Sequence, residues 1–97
     1  MTGKVAYWIA HVTITDVARY EKYRRMAFSA VTSHGGEFVA RGGRFMQMEG
    51  PERTWNTVAV FPSFQAALDC YKSDAYQEAL TISKTSSIRE LVIVEGI

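Results

Sequence analysis

Apolar side chains recur along this chain at two different periods. Lys4 to Thr13 (KVAYWIAHVT) is rich in β-formers, and alternation places Val5, Tyr7, Ile9 and His11 on one side and Ala6, Trp8, Ala10 and Val12 on the other. The period then lengthens. Val17, Tyr20, Tyr23, Ala27, Ala30 and Val31 make a helical stripe, while Glu21, Lys22, Arg24 and Arg25 fall mostly on the opposite side. Asp16 is placed to cap this helix, because its carboxylate accepts from an orphan amide. His34 lies in the last turn, and Gly35 can take the left-handed conformation that ends a helix. Gly36 to Gly50 is extended in character, and Trp55 to Phe61 is a strand stopped by Pro62. Ser63 caps the next helix, with Phe64, Ala67, Leu68 and Tyr71 as its predicted buried stripe. Lys72-Ser73-Asp74 interrupts it, and Ser73 or Asp74 caps a further helical piece with Tyr76, Ala79 and Leu80 inside. Thr81 to Ser87 reads as polar loop, and Ile88 to Glu95 (IRELVIVE) as the last strand.

Strand, helix, two strands, helix and strand make two split βαβ units. The order predicts an α+β, ferredoxin-like βαββαβ domain, a four-stranded antiparallel sheet with helices on one face and the first strand central. That topology needs one reversal of direction between Gly36 and Phe61. A hairpin at Gly42-Gly43 plus a turn at Pro51 would give two, whereas a kink at Gly42-Gly43 within one long strand gives one; the direction count favours the kink.

Both faces of the strands are apolar. Tyr7/Ile9 oppose Trp8/Ala10, Val58/Val60 oppose Ala59/Phe61, and Leu91/Ile93 oppose Val92/Val94. The helices can cover one face only, and each large side chain left wet would forgo roughly 1.5–3 kcal/mol. A second copy, packed sheet against sheet about a two-fold axis, is the simplest cover, so a homodimer through the sheet face is predicted.

Composition narrows the function classes. The chain has 97 residues, which makes a single domain over 1–97, and its 47% hydrophobic content supports one folded core. Eleven basic against ten acidic residues, with no basic run beyond Arg24-Arg25, give no stripe for nucleic acid and no membrane-surface patch. The single cysteine, Cys70, excludes an intramolecular disulfide and fits a reducing compartment. With the apolar start read as a strand, a cytoplasmic location is expected.

AYWIAHV, the Asp16…Tyr20…Tyr23 spacing, HGGEFVARGG, FPSFQAAL, YKSDAYQ and VIVEG, taken in order, resemble the domain of unknown function 1330 family over Val5 to Gly96. The resemblance implies the dimeric α+β barrel of the ferredoxin-like superfamily, with helices outside. That wider group includes cofactor-free monooxygenases, isomerases, haem-dependent enzymes and stress-related proteins, so it implies no single activity. The chain departs from the family pattern where an acidic residue is expected at Val60, an aromatic at Cys70 and a basic residue near Ser83.

Candidate chemistry is sparse. Arg41-Gly42-Gly43 is one copy of an RGG-like triplet within a strand region, and no phosphate-cradling glycine motif is present. Arg41, beside apolar Phe38 and Val39, reads either as an anchor for an anionic ligand or as the partner of Glu37 or Glu49. His11 ends an apolar strand and reads as a proton-transfer residue or as a satisfied interface histidine. Tyr20, Tyr23, Trp55 and Tyr71 can line a pocket for a planar ligand or simply fill the core. The expected site therefore has His11 and Tyr23 as catalytic residues and Arg41, Tyr20, Trp55 and Tyr71 as ligand-binding ones, with no metal and no cofactor. The leading reading is a binder of a small anionic or aromatic molecule, or a cofactor-independent enzyme, with its pocket between helices and sheet. The alternative is a non-catalytic dimeric interaction or stress-related module. Haem binding, resting on His11 or His34 alone, stands third.

Overall fold

The computed structural model describes residues 3–97. The elements run β1 (Ala6–Ile14), α1 (Val17–Ser33), β2 (Glu37–Arg41), β3 (Trp55–Phe61), α2 (Phe64–Lys72), α3 (Asp74–Ser83) and β4 (Ser87–Glu95). They build a four-stranded antiparallel sheet in the order β2-β3-β1-β4, with β1 central. This is the ferredoxin-like α+β arrangement that the sequence predicts.

Three side-chain caps set the helix starts. Asp16 accepts from the Arg19 amide at 3.1 Å, Ser63 from the Ala66 amide at 3.0 Å, and Ser73 from the Tyr76 amide at 3.2 Å. Ser73 ends α2 and starts α3 at one residue. Alternation puts Ala6, Trp8, Ala10 and Val12 of β1 and Ala59 and Phe61 of β3 against the helices, all buried. Trp8 donates its indole N–H to the Ala67 carbonyl at 3.0 Å, which ties the central strand to α2. Burying the ring therefore leaves no orphan donor.

The helix stripes differ from the sequence reading at their ends. In α1, Tyr20, Tyr23, Ala27, Ala30 and Val31 are buried, but Val17 is 76% exposed, since it lies in the first turn. In α2 the buried stripe runs through Ala67 and Cys70; Phe64 is exposed, while Leu68 and Tyr71 are half-buried. Small side chains at the contact let the helix approach the sheet closely. The Cys70 thiol lies 3.5 Å from the Ala30 carbonyl of α1. The segment expected to be loop from Thr81 is helical to Ser83.

The glycine pairs divide as follows. Gly35, at φ +80, ends α1 as expected. The expected kinked long strand is not formed: β2 stops at Arg41, Gly42 has φ +68, and residues 43–54 carry no regular structure before β3. The one reversal required between β2 and β3 is made by that loop. The bulge lies earlier, at Val39, where the register shifts between Phe38↔Ala59 and Ala40↔Val58. Gly42 has a second constraint. Its missing side chain is the space filled by the Trp55 indole, so a Cβ there would collide with three ring carbons.

Gly42→Ala is therefore expected to destabilise the fold by about 1–3 kcal/mol, from the left-handed backbone and the displaced ring. Urea unfolding followed by tryptophan fluorescence reads both, and the native-state emission should shift as Trp55 moves.

Candidate functional site

A cleft opens between α1 and the helix-facing side of the sheet. Ala10, Ala27 and Ala59 are too small to fill the layer, and Trp8, Tyr20, Tyr23 and Leu91 wall the space they leave. Phe38, Arg41, Arg24 and Trp55 stand further round the lining. The cleft encloses about 30 Å³, and about 480 Å³ when its open mouth is counted. The enclosed part has room for about a water, and the rest is a groove open to solvent.

Arg89 is the unusual member. It pairs with Val12 across β1 and β4, so alternation turns it inward, onto the face of Trp8 and Ala10. Its guanidinium donates to the Tyr76 hydroxyl at 3.1 Å and the Tyr20 hydroxyl at 3.4 Å, and lies 5.0 Å from the centre of the Tyr23 ring. Tyr23 and Tyr76 join hydroxyls at 2.7 Å. Tyr20 and Tyr23, three residues apart on α1, present neighbouring rings 4.9 Å apart. Among the described residues, no carboxylate is within ion-pairing distance of Arg89. Phenol dipoles and a π face compensate a desolvated cation only in part.

Burial pushes the Tyr20 phenol up to about 12, against a lesser opposing pull from Arg89. Burial, reinforced by Tyr23, pushes Tyr76 further in the same direction. Burial alone would lower the Arg89 pKa; ionised phenols at Tyr23, Tyr76 and Tyr20 oppose this and hold its proton beyond the ordinary arginine value at high pH, whereas protonated phenols supply no negative charge. At neutral pH Arg89 is thus a cation beside the protonated Tyr20 and Tyr76, donors suited to an oxyanion.

Two more arginines line the cleft. Arg24 pairs with Glu21 and lies over the Trp55 ring at 4.6 Å, and its Nε is buried without a partner. Arg41 stands over Phe38 at 5.0 Å and Phe28 at 5.3 Å, with no carboxylate partner among the described residues. Glu21 is shared between Arg24 and Arg25.

The cleft brings together Tyr20, Tyr23, Trp55 and Arg41 of the expected site residues. Tyr71 is not among them: it meets Trp8 edge-on at 5.9 Å and lines a neighbouring hollow instead. His11 does not join Tyr23, because period-two alternation points it to the opposite face, where its Nδ1 donates to Asn56 Oδ1 at 2.7 Å. His34 donates from Nδ1 to the Ala30 carbonyl at 2.9 Å. Among the described residues, no group of three or more potential metal ligands converges. Sequence reasoning passed over Arg89 and Arg24. For Arg89 the signal was present, since Arg89, Leu91 and Ile93 share one face of β4 and a charge heads an otherwise apolar row.

Fold and cleft together define an α+β domain of the ferredoxin-like type. The chain belongs to the domain of unknown function 1330 family, whose model matches residues 5–97. It is similar in structure to a protein of unknown function from Rhodopseudomonas palustris, with TM-score 0.77 and 16% identity, covering 97% of this chain and 83% of that one. It is also similar to SnoaB, a cofactor-independent oxygenase from Streptomyces nogalater, with TM-score 0.71 and 12% identity over 98% of this chain and 95% of that one. A third similar structure, from Caulobacter crescentus, is provisionally named an antibiotic biosynthesis monooxygenase; it has TM-score 0.69 and 10% identity, over 98% and 92% of the two chains. At these identities the likeness is one of fold. Comparison with curated proteins gives no match.

The raised phenols set an alkaline limit. Tyr20, and Cys70, whose thiol burial pushes up to about 12, keep their protons in the folded chain beyond the ordinary values of 10.0 and 9.0. The unfolded chain then binds fewer protons, so stability is complete below about pH 9 and falls as pH rises towards 12. Tyrosinate absorbance should accordingly rise in two stages. The buried phenols ionise last, together with loss of the near-ultraviolet circular dichroism of the native state.

Proposed function

We propose that the cleft binds a planar small molecule carrying an oxyanion, with the acid group at Arg89 and the flat body between Trp55, Phe38 and the sheet. The observation that carries this reading is Arg89 itself, a guanidinium drawn into the helix–sheet layer with phenols around it and no carboxylate to neutralise it. Arg24 and Arg41 add positive potential around the same space. A pure interaction module would have no use for an open cleft lined by under-neutralised arginines.

Cofactor-independent catalysis is the second reading, supported by the oxygenase name that SnoaB carries on this fold. The same donors would stabilise negative charge developing on a substrate oxygen. Tyr20 and Tyr76, held protonated, act as hydrogen-bond donors, and Tyr23, joined to Tyr76, completes a path for a proton.

The reading includes a homodimer through the other face of the sheet. Ile88, Val92 and Val94 are 55%, 54% and 43% exposed there, beside half-exposed Tyr7, Ile9, Val58 and Val60. Apart from the polar row of Asn56, His11 and Glu90, this is the kind of apolar face that association covers. None of the helices among the described residues is long and apolar enough to cross a membrane.

Binding of 2-naphthoate, followed by calorimetry, tests the cleft. Arg89→Met should weaken it about tenfold or more, the loss of charged hydrogen bonds, while the neutral 2-acetonaphthone binds both proteins alike. Equal effects on the two probes would remove Arg89 as the anchor. Sedimentation tests the assembly: Val92→Glu should weaken dimer association by roughly 100-fold, because the two-fold axis buries two carboxylates.

A further inference from the structure

A second hollow, of about 320 Å³, lies beside the end of α3 and shares Arg89 and Leu91 with the cleft as a common wall. Its other polar groups are the Tyr71 side chain, Lys84, Ser83 and Ser87. We infer that this hollow is a second oxyanion site, for a carboxylate or phosphate group held by Lys84, Arg89 and the Tyr71 hydroxyl. Its coupling to the cleft rests on the function proposed above; the site itself does not.

Three observations carry it. First, the donors are free. Arg89 spends one N–H on Tyr76 and one on Tyr20, of the five a guanidinium offers. Lys84 has no carboxylate partner among the described residues, and no hydrogen bond engages the Tyr71 hydroxyl there. Second, the hollow contains no acidic side chain. Third, the one feature that would repel an anion is offset. The C-terminal end of a helix carries about half a negative charge on its free carbonyls. Here those carbonyls are occupied: Ser83 donates to Leu80 at 3.0 Å, Ser86 to Ile82 at 2.7 Å, and Ser87 to Ser83 at 2.6 Å. Two full cations then outweigh what remains. Tyr71, which does not reach the cleft, has a role in this second site.

The oxyanion has two sources of the same chemistry, the far acid group of an elongated cleft ligand or a free anion. Thermal unfolding in inorganic phosphate, at ionic strength held constant with chloride, tests the site. Phosphate should raise Tm. Lys84→Ala, an exposed substitution that leaves the core intact, should weaken the effect at least about fivefold. No rise, or an equal rise in the variant, would overturn the inference. The source follows from 2-naphthoate and 2,6-naphthalenedicarboxylate. If the diacid binds more tightly and loses that advantage in Lys84→Ala, one ligand spans both spaces. If it has no advantage and phosphate and 2-naphthoate weaken each other, two anions compete for Arg89. A protein that responds to phosphate through Lys84 yet ignores 2-naphthoate would sink the cleft reading and leave this site standing.

Discussion

The cost of holding a guanidinium inside the helix–sheet layer governs the arrangement around it. A buried ion loses several kcal/mol of hydration, and an apolar side chain of similar volume would often serve stability as well or better. Arg89 nevertheless stands where alternation along β4 calls for an inward residue, and two helices supply its partners: Tyr20 and Tyr23 from α1, and Tyr76 from the first turn of α3. The Ser73 cap fixes that turn, and the packing of α1 against α3 brings the phenols within reach of one another. The contacts satisfy hydrogen bonds but do not cancel charge. In the function proposed above, an anion entering from solvent would complete what the fold leaves undone.

Space for that anion comes from a second choice, alanine at Ala10, Ala27 and Ala59. Larger residues there would gain burial and fill the cleft. Trp55, half-buried at the rim, is seated by a related device. It is held from one side by the Arg24 guanidinium and from the other by a backbone that, lacking a Cβ at Gly42, lets the indole lie flat against it. The answer to the paired glycines is therefore geometric. Gly35 ends a helix and Gly42 seats a ring.

The architecture was legible because it rests on local signals that agree with one another. Asp16, Ser63 and Ser73 sit where caps belong, and the period changes from two to helical at the right places. Counting strand directions was enough to require a single reversal between β2 and β3. It could not show where β2 would stop, since that depends on the Trp55 ring against Gly42, a contact thirteen residues apart by the numbering. The site was legible only in part. Helical spacing put Tyr20 and Tyr23 together, but the partners of an inward strand residue depend on register, and register joins Val12 to Arg89 across most of the chain. For His11 the alternation was already decisive: it shares a side with Tyr7 and Ile9, the face the helices do not cover.

That uncovered face and the cleft are linked through β4. One side of the strand delivers Arg89, Leu91 and Ile93 to the helices, and the other presents Ile88, Val92 and Val94. β4 is also an edge strand of nine residues, a length that would template pairing with other chains if left flat and bare. The Arg53–Glu90 pair, at 2.7 Å, places charge on its outward row, which argues against indiscriminate stacking and for one specific partner geometry. A second copy packed on this face would hold β4 from the side opposite the cleft. The position of Arg89 would then be set from both sides of the sheet, by phenols within and by association without, and loss of the dimer would be felt at the proposed anion site although no residue of the partner reached it.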